Sequence, residues 1–318
     1  MEKRSFTFND LFGGLYGFIV GDALGVPVEF TAREQRERHP VTGMRGYGTH
    51  RQPKGTWSDD TSMVLATMDA MNRNIWSTNT IMSNFYRWLN LGEYTANGKV
   101  FDVGGTTARA IAEYMRGEVP EKCGGTSVKA NGNGSLMRML PVIYFFARSY
   151  GSKITKEAVE FIYNLSSLTH AHIISKKACV YYVYIGLDLL ENRKKDSIQN
   201  IIAKAIERVA QYYAEDHNDL ECNLLEVVTY PINKIQSTGY VVHSLGATLW
   251  SLCNTNSFED AVLTAVNLGG DTDTIGALTG GLAGIYYGAG SIPLDWLDAL
   301  RNKALINDIC NRFYEKYK

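Results

Sequence analysis

The chain has 318 residues, of which 45% are hydrophobic and 20% charged, and a net charge of −1. That balance suits an ordinary soluble globular protein and excludes a disordered chain. The absence of a Lys/Arg run excludes one held mainly by nucleic-acid phosphates or anionic lipid, so neither direct nucleic-acid binding nor membrane attachment is expected. The length would permit two domains, but no Pro/Gly/Ser-rich linker divides it, and one domain over residues 1–318 is expected. The five cysteines are scattered with no CxxC pair; together with an N-terminus that lacks an apolar signal core, they point to reduced thiols and a cytoplasmic protein.

In chain order, Gly13, Gly17, Gly21 and Gly25 recur every four residues, a smooth ridge on one face of a predicted helix. An interior Gly costs a helix about 0.5–1 kcal/mol relative to Ala, so such a row implies close packing against another backbone. Residues 39–57, with two prolines and four glycines, read as a loop. Apolar groups at three- and four-residue spacing predict helices over 62–73, 80–91, 155–168, 175–191 and 196–214. Between them, 98–107 and 123–135 are Gly-rich, while 215–239 is polar and carries no clear signal. Ser257 and Asp260 form a capping-box-like pair opening a helix that Gly269 ends. The uncharged stretch Thr274–Gly290 carries a second ridge, Gly276, Gly280 and Gly284, and predicts a buried rather than a membrane helix. No segment alternates cleanly enough for a strand. The predicted fold class is all-α.

Two acidic clusters open predicted helices: Ser58-Asp59-Asp60-Thr61 and Asp271-Thr272-Asp273-Thr274. Either alone reads as a cap, because carboxylates suit the positive end of a helix dipole. Glu29, just beyond the first ridge, adds a further carboxylate. Gathered in one cleft, these groups could not all ionise without cations. Their oxygen chemistry suits two hard ions such as Mg²⁺ or Mn²⁺, and the lack of His/Cys spacing disfavours zinc. Spacing alone does not bring the clusters together.

Seven segments, in order, resemble the motifs of the ADP-ribosylglycohydrolase family: GDALGVPVEF (21–30), GTWSDDTSM (55–63), FDVGGTTARA (101–110), NGNGSLMRMLP (131–141), SLTHAH (167–172), GYVVHSLGATLW (239–250) and NLGGDTDTIGALTGGLAGIYYG (267–288). The resemblance implies a compact orthogonal helical domain and a binuclear Mg²⁺ or Mn²⁺ centre held by Ser58, Asp59, Asp60, Asp271, Asp273 and Thr274, with Asp273 as bridge. It implies hydrolysis of the bond at the anomeric carbon of the distal ribose. ADP-ribose would be released from an ADP-ribosylated protein or small molecule, with ADP-ribosyl-arginine the expected linkage. Glu29 or Asp60 would take a proton from the attacking water; in a ring-opening route Asp102 would donate one. Asp102, Gly104, Gly105 and Thr106 match the ribose-contacting segment. Asn133, Gly134 and Ser135 would offer amides to the pyrophosphate from a helix N-terminus. His170 is expected to contact phosphate or ribose, and Tyr240 to stack on the adenine or the departing group. His172 is expected to be structural, and Arg138 a helix-surface ion pair. A monomer is expected. The competing readings are a two-metal hydrolase of another nucleotide-type substrate and a non-catalytic ADP-ribose-binding or crystallin-like protein.

Overall fold

The computed structural model describes residues 5–214, 220 and 222–318, so part of the polar 215–239 stretch lies outside it. Among the described residues the chain is helical, with isolated bridges but no strand. The predicted helices are present as α3 (Asp59–Met71), α4 (Thr78–Leu91), α7 (Lys156–Ser167), α8 (Ile173–Asn192), α9 (Ile198–Tyr213) and α12 (Phe258–Asn267). Their boundaries follow from local chemistry. Ser257 accepts a hydrogen bond from the Asp260 N–H and donates one to its carboxylate. At the other end, Gly269 takes a left-handed φ of 72°, which stops the helix. In α9 the residues Ile198, Ile201, Ile202, Ala205, Ile206, Val209 and Tyr213 form one buried stripe.

Two helices form the axis of the molecule: α1 (Phe8–Gly25) and α13 (Thr272–Tyr287). They run antiparallel with their glycine ridges face to face. A Cβ built on Gly13 would lie 2.6 Å from the Gly284 carbonyl oxygen, one on Gly17 2.3 Å from that of Gly280, and one on Gly21 2.0 Å from that of Gly276. The two backbones therefore touch directly, and no side chain fits between them. Stretched by one 3₁₀ turn, α1 is long and apolar enough to cross a membrane, but 94% of that apolar window is buried in protein. The apolar flanks of both helices pack into the core instead.

Around this axis pack α3, α12, α8 and α11 (Val241–Cys253), with α6 (Leu140–Ser149), α7 and α9 outside α8, and α15 (Lys303–Tyr317) against α1 and α3. Two details differ from the sequence reading. Residues 105–107 are not loop but the first turn of α5 (Gly105–Met115), and Asn133–Arg138 forms a 3₁₀ turn that precedes α6 rather than the start of an α-helix. Pro141 explains the second, because it is favoured in a first helical turn and resists placement farther in.

The ridge contact predicts a sharp asymmetry among glycines. Gly280→Ala places a methyl 2.1 Å from the Gly17 carbonyl oxygen and should cost at least about 2 kcal/mol in urea unfolding. Gly290→Ala, with nothing within 4 Å of the new methyl, should stay within about 0.5 kcal/mol of the parent.

Candidate active site

Closure of the ridges delivers the acidic groups. Near the end of α1 the Gly25 Cβ position lies only 2.3 Å from the Asp273 Cα, and the Thr272 hydroxyl donates to the Gly25 carbonyl at 2.8 Å. The segments beyond pair as well: the Phe30 N–H donates to the Gly270 carbonyl (2.7 Å) and the Gly270 N–H to that of Thr31 (2.9 Å). Gly270 has φ 73°, a left-handed conformation, and a Cβ there would meet the Ser237 carbonyl oxygen at 2.1 Å. Only glycine fits. Glu29 is thereby set beside Asp271 and Asp273.

The first cluster arrives through Asp22, which the sequence reading placed in a motif but gave no role. Fully buried on α1, Asp22 accepts from the Ser58 N–H (2.9 Å), the Thr61 N–H (3.0 Å) and the Thr61 hydroxyl (2.6 Å). One carboxylate thus caps α3 from a different helix. A buried Asp within an apolar, Gly-ridged helix was itself the signal, since such a group needs compensating partners.

Oxygens of Asp22, Asp60 and Asp273 lie within 4.8 Å of one another, as do those of Glu29, Asp271 and Asp273. Asp273 belongs to both triads. The Thr274 hydroxyl donates to Asp60 Oδ1 at 3.2 Å, and Asn133 Nδ2 donates to Asp271 Oδ2 at 2.8 Å while also reaching Ser244 Oγ. Asp60 Oδ2, Asp271 Oδ1 and Asp273 Oδ2 are buried without a hydrogen-bond partner among the described residues. Burial, reinforced by the neighbouring carboxylates, raises Asp59, Asp60 and Asp273 well above the usual carboxylate range. It lifts Asp22 to about 6. Glu29 is pushed up to about 10 by burial and then by the charges of Asp102 and Asp271. Orphaned acid oxygens facing one another are the donor set a hard cation fits. Asp59 opens onto the adjoining cleft, and Ser58 caps α3 through its side chain while donating its N–H to Asp22.

The adjoining cleft has a volume of about 240 Å³. Its lining includes Glu29, Asp59, Asp271 and Thr274 on the acidic side, and Asp102, Gly104, Gly105, Thr106, Asn133, Gly134 and His170 on the other. No Lys or Arg lines it among the described residues. Asp102 sits at φ 52° and Phe30 at φ 61°, two non-glycine residues held in a sparsely populated conformation at the cleft mouth. Phe30 is 67% exposed. His50, which the sequence reading passed over in a loop, places Nε2 2.5 Å from Glu29 Oε2.

Two expected site residues, Ser135 and Tyr240, lie outside the lining of this cleft, and Arg138 is corrected from a surface position to a buried one. Ser135 does not line the cleft: its hydroxyl is buried against Ser166 Oγ (2.9 Å) and Cys179 Sγ (3.5 Å). The 3₁₀ turn rotates that side chain inward. Tyr240 lines a neighbouring pocket with Tyr230, His243 and Ala247, while its backbone forms an isolated bridge with Gly132 of the cleft lining. Arg138 is buried, not a surface ion pair. His172, as expected, is structural: it caps α8 and takes a 2.8 Å hydrogen bond from Asn131 Nδ2.

The raised carboxyls fix the sign of a pH effect. Below about pH 4 both folded and unfolded chains hold these protons. Above it the unfolded chain ionises freely, while the folded cluster retains protons up to about 10 for Glu29. Stability of chelator-treated protein should therefore fall as pH rises from about 5 to 8. A bound cation selects the ionised cluster, so the Tm gained on adding excess Mn²⁺ or Mg²⁺ should grow over the same range. Calorimetric scans with and without the metal check this; a gain that stays flat with pH would exclude the cluster as a cation site.

With this geometry in hand, similarity to known proteins can be weighed. The sequence profile described as ADP-ribosylglycohydrolase matches residues 4–318. ADP-ribosylarginine hydrolase Tri1 of Serratia proteamaculans (strain 568) is 30% identical over 306 residues, spanning 95% of this chain and 78% of that protein. The ADP-ribosyl-(dinitrogen reductase) glycohydrolase of Rhodospirillum rubrum is 30% identical over 302 residues, spanning 92% and 90%. A solved structure titled ADP-ribosylglycohydrolase-related protein complex superposes with a TM-score of 0.78 at 27% identity, covering 98% of this chain and 99% of that one. A helical chain matched over residues 4–318 is a member of the ADP-ribosylglycohydrolase family.

Proposed function

We propose that this protein hydrolyses ADP-ribose from modified arginine, using two divalent cations, Mg²⁺ or Mn²⁺, held by the Asp22–Asp60–Asp273 and Glu29–Asp271–Asp273 triads. The observation that carries the reading is the sharing of Asp273 by two triads of acid oxygens, in which Asp60, Asp271 and Asp273 each keep one buried oxygen without a partner among the described residues, at the edge of a cleft lined by no Lys or Arg among those residues. The similarity to a protein named as an ADP-ribosylarginine hydrolase supports arginine as the acceptor. Bound cations of this kind orient hydroxyls and lower the pKa of a water.

The chain's own residues supply the rest. The departing group leaves an anomeric carbon that gains positive charge, and the carboxylates of Glu29, Asp59 and Asp271 at the cleft surface stabilise that charge as it develops. Glu29 receives the proton of the attacking water. It lies within 4.8 Å of carboxylate oxygens of Asp102 and Asp273 and is held by His50, so the proton has places to go. Asn133, itself anchored by Ser244, fixes the rotamer of Asp271 and leaves Oδ1 free. On the opposite wall Asp102, Gly105 and Thr106 take the ribose, and Asn133, Gly134 and His170 take the pyrophosphate. The lining residues on this side offer the phosphates neutral donors. The free cysteines support a reducing, cytoplasmic setting.

Incubation with ADP-ribosyl-arginine and Mn²⁺ or Mg²⁺ should release free ADP-ribose. Phosphate or AMP as product would instead indicate a phosphoesterase. ADP-ribose bound tightly with no release from arginine, serine or O-acetyl linkages would indicate a binding protein. Asp273→Asn should lower turnover by at least about 10²-fold and abolish the metal-induced gain in Tm. Near-normal turnover with unchanged metal dependence would reject the shared-ligand assignment.

A further inference from the structure

Behind the neutral wall of the cleft lies a charge that the proposed chemistry leaves unused. Arg138 is 2% exposed, and no carboxylate among the described residues pairs with it. Its Nη1 donates to the Gly134 carbonyl (2.5 Å) and to Thr169 Oγ1 (2.8 Å), and its Nη2 to the Leu165 carbonyl (2.9 Å). The guanidinium also lies 5.1 Å from the centre of the Phe85 ring. Burial draws it down to about 10, so it remains charged near neutral pH. A buried cation without a counter-ion is costly, which calls for a reason beyond packing.

Two of its partners belong to the cleft wall. Gly134 lines the cleft, and Thr169 precedes His170, which lines it too. Thr169 Oγ1 accepts from Arg138 and lies 2.8 Å from His170 Nδ1, to which it can donate its one hydroxyl hydrogen. Donated that way, the bond leaves Nδ1 an acceptor and the ring proton on Nε2. Burial holds the ring neutral, with its pKa lowered to about 3. Nε2 lies at the cleft surface, where a Cβ on either Gly132 or Gly134 would stand 3.4 Å from it. It has no hydrogen-bond partner among the described residues.

We infer that Arg138, acting through Thr169, is a positioning residue that presents His170 as an Nε2–H donor to an anionic oxygen of the substrate. Its buried charge adds a favourable field at the same wall. The inference rests on the proposed reading that a pyrophosphate occupies this side of the cleft. It gives the Gly134–His170 side of the cleft a cation one layer behind the lining, in addition to the exposed Arg109 that bonds to Thr106. It also requires arginine, since only a planar fork reaches Gly134, Thr169 and Leu165 together.

Nitrogen NMR of the imidazole in the full-length protein tests the relay without any ligand. The expected result is the Nε2–H tautomer of His170 in the parent, lost or mixed in Thr169→Val and in Arg138→Lys. Thr169→Val nearly preserves volume and keeps Arg138, so it guards against a folding defect in the arginine variant. Calorimetric titration with ADP-ribose should show affinity reduced about tenfold or more in both variants, and with ADP-ribosyl-arginine KM should rise more than kcat falls. A purely structural clamp would move Tm but neither the tautomer nor this split. An Nδ1–H tautomer in the parent would overturn the inference. So would a Thr169→Val protein with the parent tautomer and an ADP-ribose affinity within about twofold of the parent. A parent showing Nε2–H but no affinity for ADP-ribose would support the relay and overturn the functional reading instead.

Discussion

Everything at the cleft depends on a contact with no side chain in it: the backbone of α1 resting on the backbone of α13. Side chains as small as methyl would collide with the facing carbonyls at Gly13, Gly17 and Gly21. The helices are therefore held at a separation that brings the Asp273 backbone against Gly25. The glycines weaken each helix on its own, and burial of the surrounding apolar flanks offsets that. Because the ridges interlock over three turns, neither helix can slide without collision. That lack of freedom is what a pair of oxygen triads sharing one carboxylate needs.

The site concentrates negative charge where the core is driest. Asp22, Asp60 and Asp273 are almost wholly buried, and two devices make this tolerable. Asp22 spends its oxygens on the exposed N–H groups of α3, so one buried acid and one bare helix end satisfy each other. Asp60, Asp271 and Asp273 each keep one buried oxygen unpartnered among the described residues, a state that favours retained protons or bound cations. The same crowding that raises Glu29 prepares the cluster to hold metal.

Across the cleft the chemistry changes character. Glycine backbone, Asn133, a neutral His170 and Asp102 line the wall; Arg109 touches it from outside at Thr106, and a buried positive charge is set behind it in Arg138. Keeping it buried preserves two separate fields within one small volume, one for a developing cation and one for a bound anion.

The amino-acid sequence by itself determined the helices and their texture. The 3.6-residue stripe of α9, the Ser257 cap and the Gly269 stop are local facts, set by propensity and capping within a few residues. The two Gly ridges and the two Asp clusters were legible for the same reason, and the ordered motifs tied them to a family. What only the tertiary structure decided was where side chains on short turns and loops point. Ser135 turns inward because a 3₁₀ turn, not an α-helix, carries it. Tyr240 faces a second pocket across a backbone bridge. His50 meets Glu29, and Arg138 reaches Thr169, through contacts between segments distant in the chain. No periodicity records such meetings, because they depend on how rigid helices pack and not on the sequence around each residue.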